Sequence, residues 1–206
     1  MQKFVLDTNL FFNMEAGLGM GQKTEEVVRN MTAAIKQLTA KGDAEFYTAP
    51  RIVEEFLSFF QDKHQPFIEE FLSALIVKAP HIHDISISAS VFYKLVDDAR
   101  TRNYRGATIA EEEMQKAARL MNEHTLKDRK TFEMTLGPAV KSFRDRYRQT
   151  TRFGFLDSVA DLDLIMLAKE IDGTIISSDE GVTAWGRTFG VREMGVSTFG
   201  NMLRGS

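Results

Sequence analysis

Two short apolar runs, one near each end of the chain, lead into aspartate: Phe4-Val5-Leu6 into Asp7, and Thr174-Ile175-Ile176-Ser177 towards Asp179. Short apolar runs bounded by turn residues read as strands, and strands that end in carboxylates suggest a parallel sheet whose carboxyl edges meet at one crevice. Helical sequence separates them. Thr24 caps a helix running to about Lys41, with Glu25 and Glu26 in the favourable first turn, and Gly42-Asp43 ends it. Glu45-Phe46-Tyr47-Thr48 is the next strand, and Pro50 suits the first turn of a helix carrying Ile52, Val53, Phe56, Leu57 and Phe60 on one stripe. The expected class is α/β.

From Pro66 onward the pattern turns almost wholly helical, predicting Phe67 to Leu75, Ser88 to Arg102, Thr108 to about His124, and a helix ending at Arg152 that Gly137-Pro138 interrupts. Alternation returns after Gly154: a helix from Asp157 to about Glu170, the strand at Thr174, a helix from Gly181 to Phe189, an edge strand over Val191 to Met194, and a last helix near Thr198. The chain is therefore read as residues 1–84 and 153–206 forming one α/β body, with residues 85–152 inserted as a helical subdomain. With 206 residues, 43% of them hydrophobic, there is material for one sizeable core plus such an insertion.

The chain has no cysteine, which removes disulfides, zinc–thiolate sites, iron–sulfur clusters and thiol nucleophiles. Any metal must be held by oxygen or imidazole. No apolar stretch reaches the ~18 residues of a membrane span, and Asp7 falls where a signal peptide would continue its apolar run, so a cytoplasmic protein without membrane contact is expected. Charge is uneven. Between Lys94 and Arg152 stand 14 Lys and Arg against 9 Asp and Glu, while the rest of the chain has 12 against 20. A basic segment on an acidic, cation-binding body is compatible with a polyanionic partner.

The acidic residues have a pattern of their own. Asp7 and Asp179 follow strands; Asp157, Asp161 and Asp163 open a helix; and Glu55 lies on the second helix. At about 100° per residue, Asp157 and Asp161 share a face one turn apart, whereas Asp163 points well away from Asp161. Glu54 and Glu55 are adjacent and cannot both face one site. Clustered carboxylates repel one another unless a cation neutralises them. Oxygen-only ligands favour Mg²⁺ or Mn²⁺, which keep several waters and take up substrate phosphates, the chemistry of phosphodiester hydrolysis. Singly, each residue also fits a turn or a helix cap.

Phe4-Val5-Leu6-Asp7-Thr8-Asn9, Glu55-Phe56, Asp161 with Ala168, and Ser177-Ser178-Asp179-Glu180-Gly181 resemble the acidic motifs of PIN-domain ribonucleases. More closely, Phe155-Leu156-Asp157-Ser158 through Asp161-Leu162-Asp163, Ala168 to Gly173, and Ser178 to Gly181 with Trp185, together with the helical insertion, look like HARP, the Homolog of Aquifex RNase P. The resemblance implies a PIN-like three-layer domain with a central, mostly parallel sheet and a protruding helical insertion. It implies an RNA-free ribonuclease P, an endonuclease that removes the 5′ leader of precursor tRNA and leaves a 5′-phosphate and a 3′-hydroxyl. Asp7, Asp157, Asp161 and Asp179 match the catalytic, metal-holding aspartates, with Asp163 and Glu55 auxiliary and Thr8, Asn9, Ser178 and Glu180 around them. Two alternatives stand beside it: a toxin-type PIN ribonuclease acting on another RNA, and a non-catalytic RNA-binding module.

Lys141, Arg144, Arg148 and Arg152 recur at spacings of three, four and four, on one face of a helix. Guanidinium groups pair bidentately with phosphate and read backbone shape rather than base sequence. The resemblance implies that this segment contacts tRNA, with Arg144 and Arg148 leading and Arg129 and Lys130 weaker. It also implies a homo-oligomer assembled through the insertion, whose apolar Phe92, Leu95, Val96, Met114, Leu120 and Met121 a thin protrusion cannot fully bury. Three further patterns lead elsewhere. Gln22 breaks the Walker spacing in Gly19-Met20-Gly21-Gln22-Lys23-Thr24, so no nucleotide cofactor is expected. His81-Ile82-His83 lacks a third ligand. Phe56, Phe59, Phe60, Phe67 and Phe71 fit helix packing better than a base-stacking platform.

Overall fold

The computed structural model describes residues 1–12, 17–123, 128–152, 156 and 158–205. Five strands, β1 (Gln2–Leu6), β2 (Ala44–Thr48), β3 (Ile76–Val77), β4 (Thr174–Ile176) and β5 (Arg192–Glu193), form one sheet in the order β3-β2-β1-β4-β5. Every neighbouring pair is parallel. The expected "mostly parallel" sheet is thus wholly so. The order reverses between β1 and β4, which places the crevice of a doubly wound sheet at the carboxyl ends of those two strands.

The helices of the α/β body are α1 (Asn9–Phe12), α2 (Thr24–Lys41), α3 (Pro50–Ser58), α4 (Pro66–Ser73), α7 (Val159–Glu170), α8 (Glu180–Thr188) and α9 (Val196–Arg204). Strand side chains alternate between two helical layers. Phe4, Leu6, Phe46 and Ile176 join a core with Val28, Met31 and Ile35 of α2 and Phe199 of α9. On the opposite face, Val5 lies against Gly173 after α7, and Ile175 against Gly186 of α8. Phe4 stacks on Phe46 at 5.5 Å, and the rings of Phe11, Phe56 and Phe71 meet edge-on or tilted at 4.9 to 5.4 Å.

Local chemistry explains the element ends. Gly42 takes the left-handed conformation at φ 75° and returns its N–H to the last turn of α2. Lys23, rather than Thr24, occupies the N-cap of that helix, and Thr24 is its first residue. Pro50 and Pro66 each stand at a helix start, where a missing N–H costs nothing. Strand β3 was not expected: two exposed residues give too little pattern, and its pairing with β2 makes it a strand. The glycine-rich loop serves packing. A Cβ at Gly200 would lie 2.1 Å from the Leu18 carbonyl, which also accepts from Arg204.

The helical part, Ser88–Phe155, is a compact unit of its own. It is built from α5 (Ser90–Glu123) and α6 (Arg129–Arg152), which pack along each other. Two interruptions expected from the sequence are absent. Gly106 lies inside α5 because a Cβ there would come within 2.7 Å of the Tyr147 ring, so the glycine admits the neighbouring helix. Pro138 is accommodated inside α6. Packing along a partner helix offsets the ~1 kcal/mol helix penalty of glycine and sustains a helix across proline. Among the described residues no helix is long and apolar enough to cross a membrane.

Candidate active site

The parallel register of β1 and β4, Leu6 opposite Ile176, carries on past the strand ends to bring Asp7 beside Ser177. Both are buried, Asp7 to 2% exposure. The Ser177 hydroxyl donates to Asp7 Oδ2 at 2.5 Å and accepts the Asp179 backbone N–H at 3.0 Å. One hydroxyl therefore fixes both strand-end aspartates. Asn9 adds its side-chain amide to Asp7 Oδ2 at 3.2 Å and its backbone N–H to Oδ1 at 3.4 Å. The Asp7 N–H is itself held by the Ile176 carbonyl at 3.1 Å.

Asp179 caps α8 through Oδ1, which accepts from Gly181 N at 2.6 Å and Val182 N at 3.2 Å. This satisfies the capping role open to it from sequence, while its charge also acts on Asp7. Burial pushes the Asp7 carboxyl above its usual range; the Ser177 and Asn9 hydrogen bonds pull it down, and the nearby Asp179 charge pushes it up again. A carboxylate raised chiefly by burial, with a second carboxylate close by, is a donor pair whose charge a hard divalent cation would neutralise. Asp7 and Asp179 are the pair the fold brings together.

The remaining acidic residues are placed as follows. Asp161 lies partly buried in the first turn of α7, whose N-cap is Ser158 and which packs on β1. Asp163, 15% exposed, is held by Arg51 of α3 at 2.5 Å, a link between two helices. Glu55 is exposed on α3, as is Glu54. Asp157 lies outside the described residues. Among the described residues no three acidic or histidine side chains stand close enough to hold a metal ion together. Thr8 is buried, Ser178 is partly buried and Glu180 is exposed in the first turn of α8.

Sequence alone does not single out Ser177 and points to Ser178 beside it. The signal was present: in a parallel pair starting Phe4 opposite Thr174, the residue opposite Asp7 is Ser177. Only the pairing of β1 with β4 makes that count usable.

In the helical unit, Lys141, Arg144 and Arg148 are exposed on α6. The Arg152 side chain lies outside the described residues. Arg129 is exposed and pairs with Glu133 at 2.7 Å. Arg146 differs from its neighbours: it reaches Glu113 at 2.7 Å and Glu112 at 2.6 Å, while Lys116 and Ser142 also donate to the near-buried Glu113. Arg146 holds α5 to α6. The aromatic run divides too, for Phe56, Phe67 and Phe71 are core, but Phe59 is 61% exposed. His81 binds Glu170, through its N–H at 2.8 Å and its ring at 3.0 Å.

A protein family described as PINc domain ribonuclease matches residues 3–206. The chain is 34% identical over 204 residues to the RNA-free ribonuclease P of Thermococcus onnurineus, covering 98% of this chain and 94% of that one. It is likewise 34% identical to the RNA-free ribonuclease P of Pyrococcus horikoshii, covering 98% and 92%. The protein of that name from Methanocaldococcus jannaschii is 30% identical over 214 residues, covering 98% and 91%.

Proposed function

The chain belongs to the PINc domain ribonuclease family, and on that footing we propose that it is an RNA-free ribonuclease P, an endoribonuclease that removes the 5′ leader of precursor tRNA by phosphodiester hydrolysis. The observation that carries this reading is the extent of the likeness. It runs through the helical insertion as well as the nuclease body, at nearly full length in both partners. A toxin-type PIN ribonuclease would leave that insertion unaccounted for.

Asp7 and Asp179 would hold a Mg²⁺ or Mn²⁺ ion as a pair, and Asp161 and Asp157 are the further carboxylates that the resemblance assigns to it. When bound, such an ion lowers the pKa of a water and stabilises charge on the leaving oxygen. The chain's own part is preorganisation. Ser177 and Asn9 lock the Asp7 carboxylate in one orientation, and Gly181 and Val182 lock that of Asp179 through one oxygen, which leaves the other for the cation. Asp163 serves through Arg51 by fixing the start of α7, and so Asp161, against α3. Glu55, Glu180, Thr8 and Ser178 complete the surroundings.

Lys141, Arg144, Arg148 and Arg152, with Arg129 contributing less, would grip tRNA phosphates without reading sequence. The exposed Phe92, Tyr93, Leu95 and Val96 of α5 supply an apolar surface for a second copy of the chain. A cytoplasmic setting follows from the substrate.

Purified protein incubated with a 5′-extended precursor tRNA and Mg²⁺ tests the reading by mapping of the cut. A 5′-phosphate at the mature terminus supports it. Cleavage elsewhere points to another PIN ribonuclease, and binding without cleavage to an RNA-binding module.

A further inference from the structure

Phe59 stands apart from the other phenylalanines of its helix. It is the C-cap of α3, its N–H bonded to the Phe56 carbonyl, and its ring stacks on Phe12 with centroids 4.0 Å apart and planes 30° apart. Phe12 in turn touches Phe56 at 6.0 Å and Phe60 at 6.1 Å, so the pair rests on the buried aromatic core. Yet Phe59 is 61% exposed. A ring stacked on one side and that exposed presents its other face to solvent. Single exposed apolar residues are ordinary on protein surfaces. This one is different because a second ring holds it in place.

Its position is also informative. Phe12 ends the single turn α1, five residues after Asp7, and its neighbour Phe11 packs edge-on against Phe56. Phe59 follows Glu55 by four residues, hence lies on the same face of α3 one turn on. Phe56, which Phe12 touches, lines one small cavity with Leu6 and Thr8, so the pair is joined to the wall that holds the residues on either side of Asp7. A single strand whose backbone reaches Asp7 would carry its neighbouring bases along that wall.

We infer that the Phe59 face, backed by Phe12, is a stacking site for one unpaired base of the 5′ leader, next to the cleaved bond. The reading rests on the ribonuclease P proposal. The leader is chosen because the first mature nucleotides are paired within the acceptor stem, where their faces are already stacked on neighbours, while leader bases are free to unstack. Ring stacking is tolerant of base identity. The site therefore registers that a leader is present, not what its sequence is.

The test uses precursor tRNA with 2-aminopurine at each of the three leader positions nearest the cut, bound to full-length protein carrying Asp7→Asn to prevent cleavage. Stacking on Phe59 quenches the probe at one position. Adding Phe59→Ala should remove the quenching and weaken precursor binding by roughly five- to a hundredfold, with mature, leaderless tRNA bound as before. Phe59→Leu, which keeps an apolar contact with Phe12 but no ring, should behave like the alanine variant, and Phe59→Trp should restore quenching. Equal quenching with and without the ring, or none at any position, overturns the inference. Cleavage mapping with the unsubstituted protein decides the ribonuclease P reading separately, because it does not depend on where the probe stacks.

Discussion

The Ser177 hydroxyl donates to Asp7 Oδ2 at 2.5 Å while accepting the Asp179 backbone N–H, so one buried side chain sets the orientation of one candidate carboxylate and the backbone of another. Hydrogen bonds to charged groups contribute ~1.5–3 kcal/mol, which corresponds to roughly tenfold to a hundredfold in rate if the carboxylate swings away without it. Ser177→Ala should lower kcat on precursor tRNA by that factor with KM nearly unchanged, and Ser177→Thr should recover most of it. A loss confined to KM would show that Ser177 acts on substrate binding instead.

Asp7→Asn and Asp179→Asn should both reduce cleavage to background while tRNA binding, measured by gel shift, stays close to normal. Asp179→Ala has a second effect. It removes the cap from α8 and should lower stability by ~1 kcal/mol in chemical denaturation, whereas asparagine keeps the cap. Separation of the two variants in stability but not in activity distinguishes the capping oxygen from the cation-facing one.

Arg144 and Arg148 should behave unlike Arg146, although all three share one helix. The double variant Arg144→Ala with Arg148→Ala should weaken tRNA binding and reduce the slope of log K against log salt by about 1.5, as two lost phosphate contacts require. Arg146→Ala should instead lower the melting temperature, since it takes two donors from the Glu112 and Glu113 pair that joins α5 to α6. A salt slope unchanged in the double variant would remove these arginines from the RNA contact.

Glu170, at the end of α7, is 16% exposed and accepts from Lys78 at 2.7 Å and from His81. Burial pushes its carboxyl up, but these hydrogen bonds outweigh it and hold the group at about 2. A folded value below the unfolded one of 4.5 makes its stabilisation complete above that pH and lost as pH falls towards 2. Glu170→Gln should therefore melt lower than the unsubstituted protein at pH 7, and the gap should close on acidification through that window. A gap independent of pH would mean that packing, not charge, fastens residues 78–81 to α7.

Much of this protein follows from local pattern. Apolar runs ending in aspartate set the strands β1 and β4, Gly42 and Pro50 set helix ends, and the lack of cysteine confines any metal to oxygen or nitrogen donors. These are properties of neighbouring residues, which periodicity and backbone preference express directly. Tertiary contact decided the rest. The stretch between Arg102 and Thr108 and the Gly137-Pro138 pair read as breaks, yet both lie within long helices because each helix has a partner along its length. Arg146 and Arg148 are two residues apart and look alike as letters; facing acidic residues on α5 make the first a brace. Ser177 became a site residue only when β4 paired with β1, 170 residues away in sequence, because strand register is a relation between segments that neither one contains.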